Sequence, residues 1–358
     1  MTLAGELSID LDAIAANWRA LDARSGAGVE TAAVLKANAY GCGAPYVGPA
    51  LARAGVRTFF VALPHEGATL REAVGREPLI YVLAGYPPAG SEAEPPLLYA
   101  THDLRPVLNS AAQAGAWLAD RPGAPCAVHV DTGMNRLGMP PAEFAGLGPL
   151  PEAVRLVISH YACADAPDHP LNARQRAAFA QFTQAIDRPR SLANTGGILL
   201  GPDSHFDLTR AGVGLYGGLP FAEARRAVTL HVPVLQVREI AAGASVGYGG
   251  DWTASAPARI ATIAAGYADG LPRSLGNPAL GAPARAFLGS RPLPFAGRVS
   301  MDLITLDATG CPDAVPGAMV ELIGPNQGVD DLATAAGTIG YEILTSLGSR
   351  YTRRYTGT

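Results

Sequence analysis

Between Thr31 and Arg210 the chain alternates short apolar runs with helical or turn-rich segments, and few architectures satisfy that rhythm. The strand-like runs are Thr31–Lys36, Thr58–Leu63, Leu79–Leu83, Leu104–Leu108, Ala127–Asp131, Val154–Ser159, Ser191–Asn194 and Phe206–Arg210. Segments such as Ala44–Ala54, Ser110–Ala119 and Asn172–Ile186 lie between them. Eight short strands alternating with helices predict an α/β fold, a (β/α)8 TIM-type barrel. At 358 residues the chain exceeds one average domain. Beyond about Phe221 the helical alternation stops. Val228–Ile240, Ser245–Gly249, Arg259–Ala264, Ala284–Leu288, Leu303–Leu306 and Met319–Ile323 are apolar or alternating runs cut by Gly and Pro. They predict a second, mostly β domain. The expected organisation is a barrel over residues 1–221 and a β-rich domain over 222–358, which the strand Glu6–Asp10 joins. Asp10 is expected to cap the helix that follows, whose apolar face carries Leu11, Ile14, Trp18 and Leu21.

In barrels of this kind chemistry sits at the carboxyl ends of the strands. Lys36 closes the first run and is the only lysine in the chain, every other residue of the Lys+Arg set being arginine. Guanidinium stays charged, whereas a desolvated ammonium can lose its proton, so a lone lysine at a strand end is a candidate nucleophilic amine, most simply a Schiff-base lysine. Asp131-Thr132-Gly133-Met134-Asn135-Arg136 follows the fifth run, His160 the sixth and Asn194-Thr195-Gly196-Gly197 the seventh. Arg210 ends the eighth. Singly, each has a plain structural reading: a core-edge histidine, a turn with a surface arginine, a helix cap, a loop with an ion pair. All would face one mouth, and that convergence favours a site.

Composition excludes several classes. A net charge of -4 with 48% hydrophobic residues gives no basic surface for nucleic acid. No apolar run reaches the length of a membrane span, and Met1–Asp10 lacks the pattern of a secretory signal, so a cytoplasmic protein is expected. Cys42, Cys126, Cys163 and Cys311 are scattered, with no metal-ligand spacing, and predict free thiols and no metal site.

The run VLKANAYGCG around Lys36 resembles the pyridoxal-phosphate lysine segment of alanine racemases. DTGMNRLG, Ser159-His160-Tyr161, Asn194-Thr195, the Arg210-Ala211-Gly212-Val213-Gly214 segment, GYADG around Tyr267 and GRVSMD around Met301 are similar to that family's other segments. The likeness runs from Ile9-Asp10-Leu11 to Tyr341-Glu342. It implies a pyridoxal 5'-phosphate enzyme that interconverts L-alanine and D-alanine with two bases. Lys36 would hold the cofactor and serve the D-enantiomer, and Tyr267 would serve the L-enantiomer. Tyr40, Asn194, Thr195, Gly212 and Val213 would surround the phosphate. Arg210 would face the pyridine nitrogen, with His160 between it and Tyr267. Arg136 would lie near the phenolic oxygen and the substrate carboxylate, which the Met301 N–H also contacts. The likeness further implies a homodimer with shared active sites and a role in peptidoglycan supply or alanine catabolism.

There are departures. Family members often carry a carbamylatable lysine where this chain has His129, leaving open whether an anion or His129 itself supports Arg136. A phosphate-binding tyrosine of some members falls at Ser349 here, with Tyr351 nearby. A racemase of serine or another small amino acid is the main alternative reading. A fold-related decarboxylase would lack the DTGMNRLG and GYADG pair, and a non-catalytic pyridoxal-phosphate carrier would lack the β domain.

Overall fold

The computed structural model describes residues 4–87, 96–277 and 284–357. It divides into two compact units. One comprises Ile14–Leu215 with Pro220–Ala224; the other gathers the start of the chain up to Ala13, Tyr216–Leu219 and Arg225 onward.

The chain opens with β1 (Glu6–Asp10), which belongs to the second unit. The first unit contains β2 (Glu30–Val34), β3 (Thr58–Val61), β4 (Leu79–Val82), β5 (Arg105–Leu108), β6 (Cys126–His129), β7 (Val154–Ile158), β8 (Arg190–Ser191) and β9 (Leu208–Ala211). All pairings are parallel, in the order β8-β7-β6-β5-β4-β3-β2-β9. The gap between β8 and β9 is spanned by backbone bonds from Asp207 to Arg190, 3.0 Å, and from Arg210 to Ala193, 2.9 Å. The result is a nearly closed barrel with helices between the strands. β3, β6 and β9 are buried throughout, as strands with packed side chains on one face and helices on the other must be. Each observed strand lies within one or two residues of its expected run except at β8, where only two residues make ladder bonds.

The expected cap on the first helix is present. The Asp10 carboxylate accepts from the Ala13 N–H at 2.8 Å at the start of the helix Leu11–Ser25, satisfying a donor the helix leaves open. Leu11, Ile14, Trp18 and Leu21 are buried as anticipated. Ser110 caps Ala111–Asp120 in the same way.

The second unit is built on β10 (Val228–Ile240). Its first half lies between β1 and a later strand, while its second half turns to another partner. The remaining strands are β11 (Ser245–Val246), β12 (Trp252–Thr253), β13 (Ala258–Ile263), β14 (Arg285–Leu288), β15 (Arg291–Pro294), β16 (Ile304–Asp307), β17 (Met319–Ile323) and β18 (Thr352–Thr356). The main sheet runs β15-β14-β17-β10-β1-β18, and β13 joins the far end of β10 and pairs with β16. The register shifts on β10 between Val234 and Gln236, where pairing with β13 begins, so one long strand serves two partly separate sheets. All four cysteines are free, and no helix among the described residues is long and apolar enough to cross a membrane.

Candidate active site

β2 stops at Val34, not at Lys36. Leu35 still donates to Phe60 O at 2.8 Å, and the chain then enters a turn in which Ala37, Asn38, Ala39 and Tyr40 all have φ between 51° and 55°. The first three have ψ between 49° and 52°, so this is one turn of left-handed α-helix, closed by bonds such as Gly41 N–H to Ala37 O at 2.8 Å. Residues with a Cβ pay about 1–2 kcal/mol each for that conformation, and surrounding contacts hold it. Glu66 accepts from the N–H groups of Ala37, Ala62 and Leu63 at 2.7, 2.8 and 3.1 Å, and the Asn38 side chain accepts from Ala44 at 2.8 Å. The sequence reading missed Glu66 in this role. Its signal was the Leu63-Pro64-His65-Glu66 helix start, where a glutamate at the third position is spaced to reach back to open N–H groups.

The turn carries the chain from Lys36 to Tyr40. Tyr40 is buried, and a Cβ added to Gly212 would come within 2.8 Å of its hydroxyl. The Gly212 N–H donates to Thr195 Oγ1 at 2.9 Å. Asn194 caps the short helix Thr195–Leu199 through its side-chain oxygen and the Gly197 N–H, 2.9 Å, and Val213 is buried beside Gly212. The five residues expected around a phosphate therefore form one patch at the ends of β2, β8 and β9. The Gly212 N–H, expected to face the phosphate, bonds instead to the threonine hydroxyl.

Arg210 lies inside β9 and is buried. Its guanidinium donates to Ser191 Oγ, to Ser159 O at 2.6 Å, to Leu192 O at 3.2 Å and to His160 Nδ1 at 3.2 Å. Burial pushes its pKa down to about 10, which leaves it charged at neutrality. Since guanidinium can only donate, His160 Nδ1 must accept, which puts the imidazole proton on Nε2. Burial, then Arg210 and Arg136, hold His160 well below the usual histidine range, so it is neutral. Lys36 is also depressed, first by burial and then by Arg136, with Glu66 opposing.

Arg136 is exposed on the loop after β6. Asp131 supports that loop, accepting from Gly133, Met134 and Asn135 at 2.9–3.0 Å. His129, at the end of β6, has its Nδ1 2.8 Å from Asn109 Oδ1. The Asn109 amide nitrogen donates to Leu83 O and Val107 O, so its oxygen is the acceptor and His129 Nδ1 carries the proton. Burial, then Arg210, pushes His129 down to about 4. Tyr267 and Met301 belong to the other unit, where both stand exposed on adjoining turns. The Tyr351 ring is buried in that unit with its hydroxyl unpartnered, while Ser349 is exposed.

Residues 9–220 match the N-terminal domain of alanine racemases and residues 227–355 their C-terminal domain. The chain belongs to the alanine racemase family. It is 52% identical to an alanine racemase of Cereibacter sphaeroides over 98% of this chain and 97% of the other. A crystal structure of alanine racemase from Bartonella henselae with covalently bound pyridoxal phosphate is 37% identical, with TM-score 0.90 over 99% of this chain and all of that one. A biosynthetic alanine racemase from Pseudomonas aeruginosa superposes with TM-score 0.89 at 37% identity over 99% of this chain and 100% of that one. Against this alanine racemase fold, the arginine, histidine and lysine cluster stands at the carboxyl ends of the barrel strands, where such folds do chemistry.

The depressed His129 pKa has a consequence for stability. Its ordinary value is 6.5 and its folded value about 4, so between these pH values the unfolded chain binds more protons and stability falls as pH falls. The full shift corresponds to roughly 3 kcal/mol, lost between about pH 6.5 and 4 and constant below that. In denaturant titrations across this window, His129→Gln should lose less stability than the parent; equal slopes would show that His129 does not carry the dependence.

Proposed function

We propose that this chain is a pyridoxal 5'-phosphate-dependent alanine racemase that moves the Cα proton of alanine with two bases, Lys36 and Tyr267. The observation that carries the reading is the chain's only lysine, desolvated beside Arg136 and Arg210 at the barrel mouth. That setting favours the neutral amine, the form able to attack a carbonyl or accept a proton.

The residues suit the cofactor. Gly212 leaves room that a Cβ would fill, bounded by the Tyr40 hydroxyl and Thr195 Oγ1, and hydroxyls of this kind can donate to a phosphate. When bound, pyridoxal phosphate supplies an electron-withdrawing ring that acidifies the Cα–H of the amino acid. Arg210 would face its ring nitrogen as a donor that keeps its own proton, which limits electron withdrawal and with it stray transamination. His160, held neutral by burial and then by the same arginine, would carry a hydrogen bond onward from Nε2 toward Tyr267. Arg136 would bind the substrate carboxylate together with the Met301 N–H. Lys36 Nζ would exchange a proton with the D-face and Tyr267 Oη with the L-face.

We read the working form as a homodimer with two composite sites, in which Tyr267 and Met301 of one copy serve the barrel of the other. Their exposure, 43% and 53%, supports this. The reading includes a cytoplasmic enzyme supplying D-alanine for peptidoglycan or serving alanine catabolism. Racemisation assays on L-alanine and L-serine separate alanine from the serine alternative.

Three experiments test the residue roles. Borohydride reduction of the loaded enzyme should fix the cofactor on the tryptic peptide Ser25–Arg53, whose Lys36 offers its one side-chain amine; label on any other peptide removes Lys36 from its role. Arg210→Glu, confirmed folded by its melting curve, should racemise more slowly and release more pyruvate per racemisation. An unchanged ratio means Arg210 does not face the ring. Finally, Lys36→Ala and Tyr267→Ala proteins mixed under subunit exchange should regain about a quarter of wild-type sites, because half the dimers are mixed and each has one intact site. No recovery, with exchange verified by mass, rejects shared sites.

A further inference from the structure

The GYADG and GRVSMD segments are zipped together backbone to backbone. Tyr267 N–H donates to Ser300 O at 3.0 Å and Ala268 N–H to Met301 O at 2.9 Å. A Cβ on Gly266 would lie 2.3 Å from Met301 O and 2.4 Å from Ser300 O, so only glycine permits the approach. A third segment closes from below. Gly348 N–H donates to Asp269 O at 2.9 Å, and a Cβ on Gly270 would meet Ser346 O at 1.8 Å.

One side chain bridges all three segments. The Asp269 carboxylate is buried, 3% exposed, and accepts from the Gly266 N–H at 2.9 Å. Arg350 grips both of its oxygens, Nε to Oδ1 at 2.6 Å and Nη2 to Oδ2 at 2.8 Å, and its third nitrogen reaches Asp302 Oδ1 at 2.7 Å. A planar fork can hold one carboxylate with two donors and a second with another, whereas a lysine ammonium lacks that fixed geometry.

We propose that Arg350 is the positioning residue for the Tyr267 base. By clamping Asp269, two residues after Tyr267, to Asp302, the neighbour of Met301, it fixes the tyrosine relative to the carboxylate-binding turn. This rests on the two-base reading above. The Asp302 arm is half exposed on both sides, and exposed ion pairs contribute little to stability, so its role is geometric. The arginine itself touches neither reacting atom.

The test uses alanine deuterated at Cα, in each enantiomer, with the loaded enzyme. Proton removal from the L-enantiomer falls to Tyr267 and from the D-enantiomer to Lys36. Arg350→Ala should lower kcat about ten- to a hundredfold, as small misplacements of a catalytic group do. It should also raise the isotope effect for deuterated L-alanine and lower that for deuterated D-alanine toward one, because the Tyr267 step becomes limiting. Arg350→Lys should not restore the parent pattern. Asp302→Asn, which leaves the buried Asp269 pair intact, should move both isotope effects in the same directions by less, and it decides the matter if Arg350→Ala does not fold. Lost activity with both isotope effects unchanged would overturn the proposal and leave Arg350 a structural residue. Tyr267→Phe is the reference. If it does not shift the two effects in opposite directions, the two-base assignment has failed, and the Arg350 role falls with it for that distinguishable reason.

Discussion

The site depends on a single turn of left-handed helix. Four consecutive residues with a Cβ, Ala37 to Tyr40, sit where such residues are disfavoured; Glu66 accepts from the Ala37 N–H at the start of the turn, and the Asn38 side chain accepts from the Ala44 N–H at the start of the following helix. Strain of this kind persists only where the surroundings over-determine it. Here the anchor is a carboxylate engaged by three N–H groups of two consecutive βα connections, which ties the lysine loop to the start of the next barrel helix.

Around that turn the barrel concentrates positive charge. Arg210 is buried with carbonyls, a serine hydroxyl and a neutral imidazole as its partners. The cost of burying it is offset by these hydrogen bonds from its two Nη atoms, which leave its charge unneutralised. Its field reaches His160, His129 and Lys36, and it depresses all three together with burial. Burial is the largest cause for each, and for Lys36 the nearer contribution is that of Arg136, so the two arginines reinforce what desolvation already favours, the uncharged form of each base. His129 shows how local bonding settles a tautomer: Asn109 has already committed its amide to two carbonyls, so the imidazole must supply the proton.

Much of this was legible in the chain. Period and composition indicated eight strands, the break near Phe221 and the β-rich remainder, and the lone lysine marked itself against a background of arginine. Apart from β8 (Arg190–Ser191), strand ends in the barrel were legible to within a residue or two because apolar runs stop where the barrel stops. The left-handed turn was not, because nothing in Ala37-Asn38-Ala39-Tyr40 apart from the asparagine favours positive φ. Glu66, Asn109 and Arg350 were also passed over. Each acts on a segment distant in sequence: Glu66 across 29 residues to Ala37 and Arg350 across 81 to Asp269.

The sequence by itself determined which chemical groups the protein owns: one side-chain amine, a tyrosine in a glycine-flanked turn, and an arginine at position 210. Those identities follow from side-chain chemistry, and no fold could change them. Only the tertiary structure decided which of them are charged and which way their hydrogen bonds run. Protonation depends on burial and on the fields of residues brought close from other strands, and neither exists until the barrel closes and brings Arg210, His160 and Lys36 within reach of one another.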